Sequence, residues 1–406
     1  MPKPPRIWIV TELYYPEDGA TGHLLTQIAE GLASEAEVHV LCTQPSYTQQ
    51  REKSPRVELH RGVHIKRCRT TSFSKDRLVL RVINMFTILI SFSWNMVSGL
   101  RRQDRVLVVT NPPPLPFAAW LACRLRGAKC VLLIHDIYPD VLVPTKFTRQ
   151  NSILYRVIDW FFKRLLLGVD RIITIGRDMQ QRVLAKSDRL SSKTTVITNW
   201  CDQESIWPIA PTANPLRAEL DLTDKFVILY SGNMGRTHGL ETIAAAAKIL
   251  EDEGHEKIHW LVCGGGGGKK HFAARCQQLN LKSVTVRDFF PREQLVYSLN
   301  CGDVAIISFI PGMSGISVPS RMYNFFAAGR PIIGVTEAES ELALTIREFE
   351  LGWVVEPEQP QLLAEQVLEI FYHRDRLATL GERCRAVALA QFSRERAIAL
   401  YRDVFV

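Results

Sequence analysis

Short apolar runs rich in Val and Ile alternate along the chain with longer stretches whose apolar residues recur at helical spacing. In the first half these runs fall at 6–13, 37–43, 105–110, 129–136, 171–175 and 194–198, with helices predicted at 24–33 and 153–167 between them. A stretch marked by Pro208, Pro211 and Pro215 reads as a linker. The rhythm then restarts at 226–231, 259–263, 284–289, 303–308, 331–335 and 352–355. Runs such as Val131-Leu132-Leu133-Ile134 are apolar on both faces, as strands of a helix-covered parallel sheet must be. The predicted fold is α/β, with two Rossmann-like, doubly wound parallel-sheet domains at 1–205 and 206–391. They are expected to face each other across a cleft at the carboxyl ends of their strands, and a closing helix at 392–406 is expected to return to the first.

Composition narrows the function classes. Apolar residues make up 46% of the 406 positions and charged residues 23%, a globular balance. The net charge of +8 suits an anionic ligand or peripheral contact with an anionic membrane. Nucleic acid is not expected, because basic residues do not cluster with aromatic ones. The nine cysteines include no C-x-x-C pair and several sit in apolar runs, so they are expected to be reduced, buried thiols of a cytoplasmic protein. The opening MPKPPRIWIV enters a strand without a signal-type apolar run, which points the same way. From 82 to 100 there are 19 residues without a formal charge, long enough for a membrane span. Asn84, Thr87, Ser91, Ser93 and Asn95 make it polar for one, so a buried or membrane-resting helix is expected.

Four places carry candidate chemistry. The first turn, YYPEDGATGH, sets Gly19 and Gly22 before a helix, where backbone N–H groups can approach an anion. It lacks the G-x-G-x-x-G dinucleotide pattern. His135 and Asp136 end an apolar strand, where imidazole and carboxylate can bind hydroxyls or share a proton. In YSGNMGRTHGLE, glycines surround Arg236 and His238 ahead of a helix, a candidate pyrophosphate cradle. The pentaglycine 264–268 with Lys269 and Lys270 fails the P-loop pattern and reads as a wide turn whose lysines could approach phosphate. In PGMSGISVPSRMYNFFAAGRPII, small residues precede Ser320 and Arg321, whose amides and guanidinium could hold a diphosphate.

In these motifs the chain resembles retaining glycosyltransferases of family 4, the group 1 set, with the GT-B fold. The resemblance runs from YYPEDGATGH through HDIYPD and VITNWCD to VPSRMYNFFAAGRPII. Its texture is that of bacterial capsule, O-antigen and colanic-acid-type fucosyl- or N-acetylfucosaminyl-transferases. The resemblance implies that His135, with Asp136, meets the transferred sugar, and that Gly22 lets the first loop approach the donor. It implies donor contacts at Asn233, Arg236, His238, Gly315, Ser317, Ser320 and Arg321, with Asn324 near the ribose. Two departures stand out. The family's paired glutamates fall on Ile316 and Asn324, and its usual Arg and Lys fall on Asn233 and His238.

The resemblance further implies a nucleoside-diphosphate-sugar donor and a lipid-linked or oligosaccharide acceptor at the inner membrane face. It also implies retention at the anomeric carbon, with no cofactor or metal. A nucleotide-sugar epimerase on the same fold, or a non-catalytic nucleotide-sugar-binding scaffold, are the alternative readings.

Overall fold

In a computed structural model the protein is described over residues 6–17, 19–45, 54–73 and 77–405. Asp18 of the first turn and Val406 of the closing helix lie outside these residues. The chain divides into two compact units, one of Met1–Asp140, Arg149–Thr198 and Ala397–Val406, the other of Val141–Thr148 and Asn199–Arg396. The second unit takes the chain from Asn199, ahead of the expected boundary after residue 205, because hydrogen bonds within it hold the entering segment. Cys201 donates its N–H to the Phe392 carbonyl and Asp202 to Asn324 Oδ1, each at 2.9 Å.

The first unit is built on β1 (Ile7–Val10), β2 (Val38–Cys42), β3 (Val57–His60), β4 (Val63–Arg67), β5 (Arg105–Val109), β6 (Lys129–Ile134), β7 (Arg171–Thr174) and β8 (Thr194–Val196). Their order is β3-β4-β2-β1-β5-β6-β7-β8, parallel throughout except for β3 against β4. That hairpin is an addition to the six predicted strands. It alternates rather than running apolar, burying Val63 and Ile65 while Val57 and Leu59 are exposed. Its turn, Arg61-Gly62, has positive φ at both residues (45° and 82°), the twist that a two-residue hairpin turn needs.

Helices α1 (Ala20–Leu32), α2 (Leu78–Gly99), α3 (Leu115–Arg126), α4 (Ile153–Gly168) and α5 (Arg177–Leu184) connect these strands. The β4-to-β5, β5-to-β6 and β6-to-β7 steps run one way across the sheet and the β1-to-β2 step runs the other. Right-handed crossovers therefore set α2, α3 and α4 on one face and α1 on the opposite one. The polar residues of the 82–100 stretch have a structural use. Asn84 Oδ1 accepts from Thr71 Oγ1 at 2.8 Å and from Phe73 N–H at 3.0 Å, and Thr87 Oγ1 accepts from Thr71 N–H at 3.1 Å. With Ile88, Phe92 and Met96 buried below Asn84, one stripe of α2 belongs to the core of the unit. By length and composition alone α2 could cross a membrane. The strands before and after it join one sheet, so it is an element of that fold.

A buried ionic knot closes the start of the sheet. Asp104 Oδ2 accepts from Arg6 Nη2 at 2.6 Å, Trp8 Nε1 at 3.0 Å and Arg101 N–H at 2.9 Å. Burial alone would raise the Asp104 carboxyl, but the hydrogen bonds from Arg6 and Arg101 outweigh it and hold the group low.

The second unit carries β9 (Phe226–Asn233), β10 (Ile258–Gly265), β11 (Val284–Arg287), β12 (Val304–Ser308), β13 (Ile332–Val335) and β14 (Gly352–Val355), all parallel in the order β11-β10-β9-β12-β13-β14. These are the six predicted strands. Around them lie α6 (Pro215–Glu219), α7 (Leu240–Asp252), α8 (Lys269–Gln278), α9 (Leu295–Leu299), α10 (Arg321–Ala327), α11 (Glu341–Phe349), α12 (Pro360–Tyr372), α13 (Leu377–Gln391) and the start of α14 (Arg394–Phe405). Tyr230, Trp260, Phe272, Ile306 and Leu363 fill the core on one face of the sheet, none more than 1% exposed, and Val227 and Leu229 are buried on the other face of β9. From Ala397 onward α14 belongs to the first unit. There Ile398 sits against Gly31, and Arg402 Nη2 donates to Gly31 O and Ser34 Oγ at 3.1 Å each. All nine cysteines are free and buried.

Candidate active site

The site is clearest at the carboxyl ends of β9 and β10, where the two strands finish as bare backbone. Gly232 and Gly264 face each other in the ladder, both at φ 153°. A methyl group on Gly264 would overlap the Gly232 carbonyl, and one on Gly232 would overlap the Arg321 guanidinium. Only glycine allows so close an approach. Met234 donates its N–H to Gly265 O and Gly268 donates to Met234 O, both at 2.7 Å. The pentaglycine is thus a contact between two backbones, tighter than the wide turn expected. Lys269 is ion-paired with Asp288, so its charge is already met within the unit.

Arg321 lies on this floor. Its guanidinium carbon is 4.5 Å from the Tyr230 ring centroid, and Nη1 is 3.5 Å from the Ser231 carbonyl oxygen. Nε and Nη2 are buried and have no hydrogen-bond partner among the described residues. Leaving a buried donor unpaired costs about 1–3 kcal/mol, more when it is charged. A planar fork of unmatched N–H donors, held on an aromatic face beside bare backbone, has the geometry that can pair with an anion carrying two oxygens.

The turn after β9 is pinned beside it. Ile310 donates its N–H to Thr237 O at 3.0 Å, and Ser308 Oγ donates to Gly239 O at 3.2 Å. Burial, reinforced by the nearby Arg321 charge, pushes the His238 imidazole down to about 3. It is therefore a neutral ring at physiological pH, not a second cation. Asn233 and Arg236 are exposed on this turn, and the Asn233 amide lies against Gly266 and Gly235.

The 310–320 loop approaches from β12. Glu337, just past β13, accepts N–H bonds from Gly312 and Ser314 at 2.8 Å each. This clamp bends the loop through Gly312 and Gly315, at φ 84° and 69°. Ser317 and Ser320 are partly exposed, and the Ser320 side chain makes no capping bond. Ile316 is buried. Asn324, expected near a ribose, is half-buried, and its amide oxygen accepts from the Asp202 N–H. Its role in this structure is to tie α10 to the segment entering the unit.

In the first unit, His135 and Asp136 stand just beyond β6, and both donate backbone N–H to Thr110 Oγ1, at 3.1 and 3.3 Å. Gly22 lies inside the first turn of α1, where a side chain would press on Glu17 and approach the Tyr14 backbone. Its bareness lets the 14–17 loop fold onto the helix. The open position is Gly19, the N-cap, where an added methyl would meet nothing.

Burial pushes the His135 ring down to about 4 from an ordinary 6.5. An unfolded chain would take up a proton first. The contribution of His135 to stability is therefore expected to be intact above pH 6.5 and to be lost as pH falls toward 4. His238 acts with the same sign in the second unit, down to about pH 3. Thermal unfolding followed against pH checks this. His135→Gln should flatten part of the acid limb, and an unchanged limb would contradict the assignment.

The structure thus brings Arg321, His238, Gly232 and the 312–320 loop together, leaves Asn233 and Arg236 exposed on their turn, and engages the Asn324 amide oxygen with the Asp202 N–H. The sequence reading missed Tyr230, the platform under Arg321, and Glu337, the loop clamp. Both follow the rule that residues at a parallel strand's carboxyl end serve the site, which could have found them. Among the described residues no three His, Cys, Asp or Glu side chains converge as metal ligands do.

Comparison with known proteins agrees with this architecture. Residues 19–200 match the glycosyl transferase 4-like domain and residues 214–387 match glycosyl transferases group 1. The probable glycosyltransferase WbjE of Pseudomonas aeruginosa is 32% identical over 303 residues, 73% of each chain. The putative colanic acid biosynthesis glycosyl transferase WcaI of Escherichia coli (strain K12) is 27% identical over 368 residues, 86% of this chain and 88% of the other. Among solved structures, sucrose-phosphate synthase from Thermosynechococcus elongatus superposes with a TM-score of 0.77 at 18% identity, covering 98% of this chain and 99% of that one. The chain is therefore a glycosyltransferase of group 1, built on the GT-B fold of two Rossmann-like units.

Proposed function

We propose that the chain transfers a sugar from a nucleoside diphosphate to an acceptor hydroxyl, with retention at the anomeric carbon, during assembly of a cell-envelope polysaccharide. The observation that carries the donor assignment is the Arg321 guanidinium, with buried Nε and Nη2 lacking a partner on a glycine floor. Similarity to WcaI, a putative transferase of colanic acid biosynthesis, supports the pathway, and a lipid-linked oligosaccharide at the cytoplasmic face is the acceptor proposed.

In the reaction the anomeric C–O bond to the diphosphate breaks, and the electron pair leaves with the phosphate oxygen. The acceptor oxygen bonds to the same face of the sugar, and its proton passes to the departing phosphate. The protein needs no nucleophile for this. Its task is to meet charge growing on the diphosphate, and Arg321 with the amides of the 312–320 loop is suited to that. Neutral His135 can hydrogen-bond a sugar hydroxyl without adding charge.

The test is turnover of a panel of nucleoside diphosphate sugars with lipid-linked acceptors, read as released nucleoside diphosphate and by the anomeric configuration of the product. Because the charge is met by protein groups, EDTA is expected to change the rate by less than about twofold. An inverted linkage or a strict divalent-ion requirement would sink the mechanism. An epimerised sugar formed without acceptor would favour the epimerase alternative, and donor binding without turnover would favour the scaffold.

A further inference from the structure

We infer that α2, α3 and α4 of the first unit form a docking face for an anionic lipid bilayer. The three helices lie side by side on one face of the sheet, Phe117 of α3 meets Phe161 of α4 edge-on at 6.5 Å, and Trp120 packs against Gly168. Their outer sides are apolar where an ordinary surface helix is polar. On α2, opposite the buried stripe of Asn84, Ile88, Phe92 and Met96, stand Phe86 (57% exposed), Ile90 (70%) and Trp94 (77%). Leu121 and Leu125 continue the surface on α3, and Ile153, Trp160 and Phe161 on α4. Most large apolar residues exposed in the described chain lie on these helices. A contiguous apolar face of this kind marks an interaction site.

Charge selects the occupant. Between Arg77 and Arg126 the sole acidic residue is Asp104, buried against Arg6. The single carboxylate on α4, Asp159, is ion-paired to Lys186 at 2.6 Å. The cations, by contrast, are exposed and set among the apolar groups. Arg156 shares a groove with Ile153, Val157 and Trp160, and the Arg164 guanidinium lies 5.1 Å from the Trp160 ring centroid. Exposed tryptophan and aliphatic side chains with interspersed Arg and no free carboxylate match the boundary between acyl chains and anionic headgroups. A protein partner would more commonly meet a face carrying both charge signs.

The face is independent of the transfer chemistry and is tested without donor or acceptor. The full chain is floated with phosphatidylcholine vesicles, with or without phosphatidylglycerol, at low and high salt. It is expected to rise with the anionic vesicles, to release as salt increases, and to stay down with phosphatidylcholine alone. Ile90→Glu/Trp94→Glu and, separately, Arg156→Glu/Arg164→Glu are each expected to weaken partitioning by about tenfold or more. Leu362→Glu, an exposed apolar position of the second unit, should leave it unchanged. Equal unfolding temperatures across the set show that folding is intact. No binding to anionic vesicles, or binding unaffected by both double variants, would overturn the inference. So would a dimer in solution that Trp94→Glu dissolves, since a second copy would then cover the face.

Discussion

Arg321→Ala is expected to lower turnover by about 10²–10³-fold, equivalent to about 3–4 kcal/mol of transition-state stabilisation. The same variant should unfold no more readily than the parent. The side chain enters the fold with Nε and Nη2 buried and unpaired, so truncating it removes a desolvation cost along with its stacking on Tyr230. Activity and stability therefore move apart, which distinguishes a donor-binding residue from one that merely supports the loop. Arg321→Lys keeps the charge and loses the planar fork, so an intermediate rate is expected. Steady-state kinetics paired with thermal unfolding give both readouts. Full transfer by the alanine variant would remove the donor site from this floor.

Asp104→Ala is expected to be the most damaging change to the first unit. It strips one carboxylate that answers Arg6, Trp8 and the Arg101 N–H, and leaves the Arg6 guanidinium buried without its counter-charge. Breaking a buried pair from one side costs about 3–5 kcal/mol. The two units need not unfold together, so hydrogen exchange in β1 and β5 is the cleaner measurement. Exchange there should quicken while β9 and β10 stay protected. Unaltered protection in β1 would show that the knot contributes little.

Much of the fold was legible because parallel strands buried on both faces cannot avoid continuous apolar runs, as in 129–134 and 304–308. The β3–β4 hairpin escaped for the complementary reason. With one face exposed it alternates, and its V-E-L-H and V-H-I-K segments look polar to a search for runs. The Arg61-Gly62 turn was the available signal. At the site, Arg321 and the glycines could be read because their residue types are costly elsewhere. Asn324 could not. Its partner is a backbone N–H 122 residues upstream, a contact that local spacing does not encode. Glu337 was marked by its place beyond a strand's carboxyl end, but its partners were not, since they are N–H groups of a loop separated from it by α10 and β13. On α2, the polar residues that argued against a membrane span were legible, but their service to Thr71 and Phe73 was not.

The floor beneath Arg321 also bears on how such a chain can diverge. A side chain on Gly264 would run into the Gly232 backbone, and one on Gly232 would push the Arg321 side chain off its place. Nothing at that spot can be tuned by small steps. The rim is different: Asn233, Arg236, Ser317 and Ser320 are exposed or partly so, and can be exchanged without touching the core. Substitution is therefore easy on the rim and constrained on the floor.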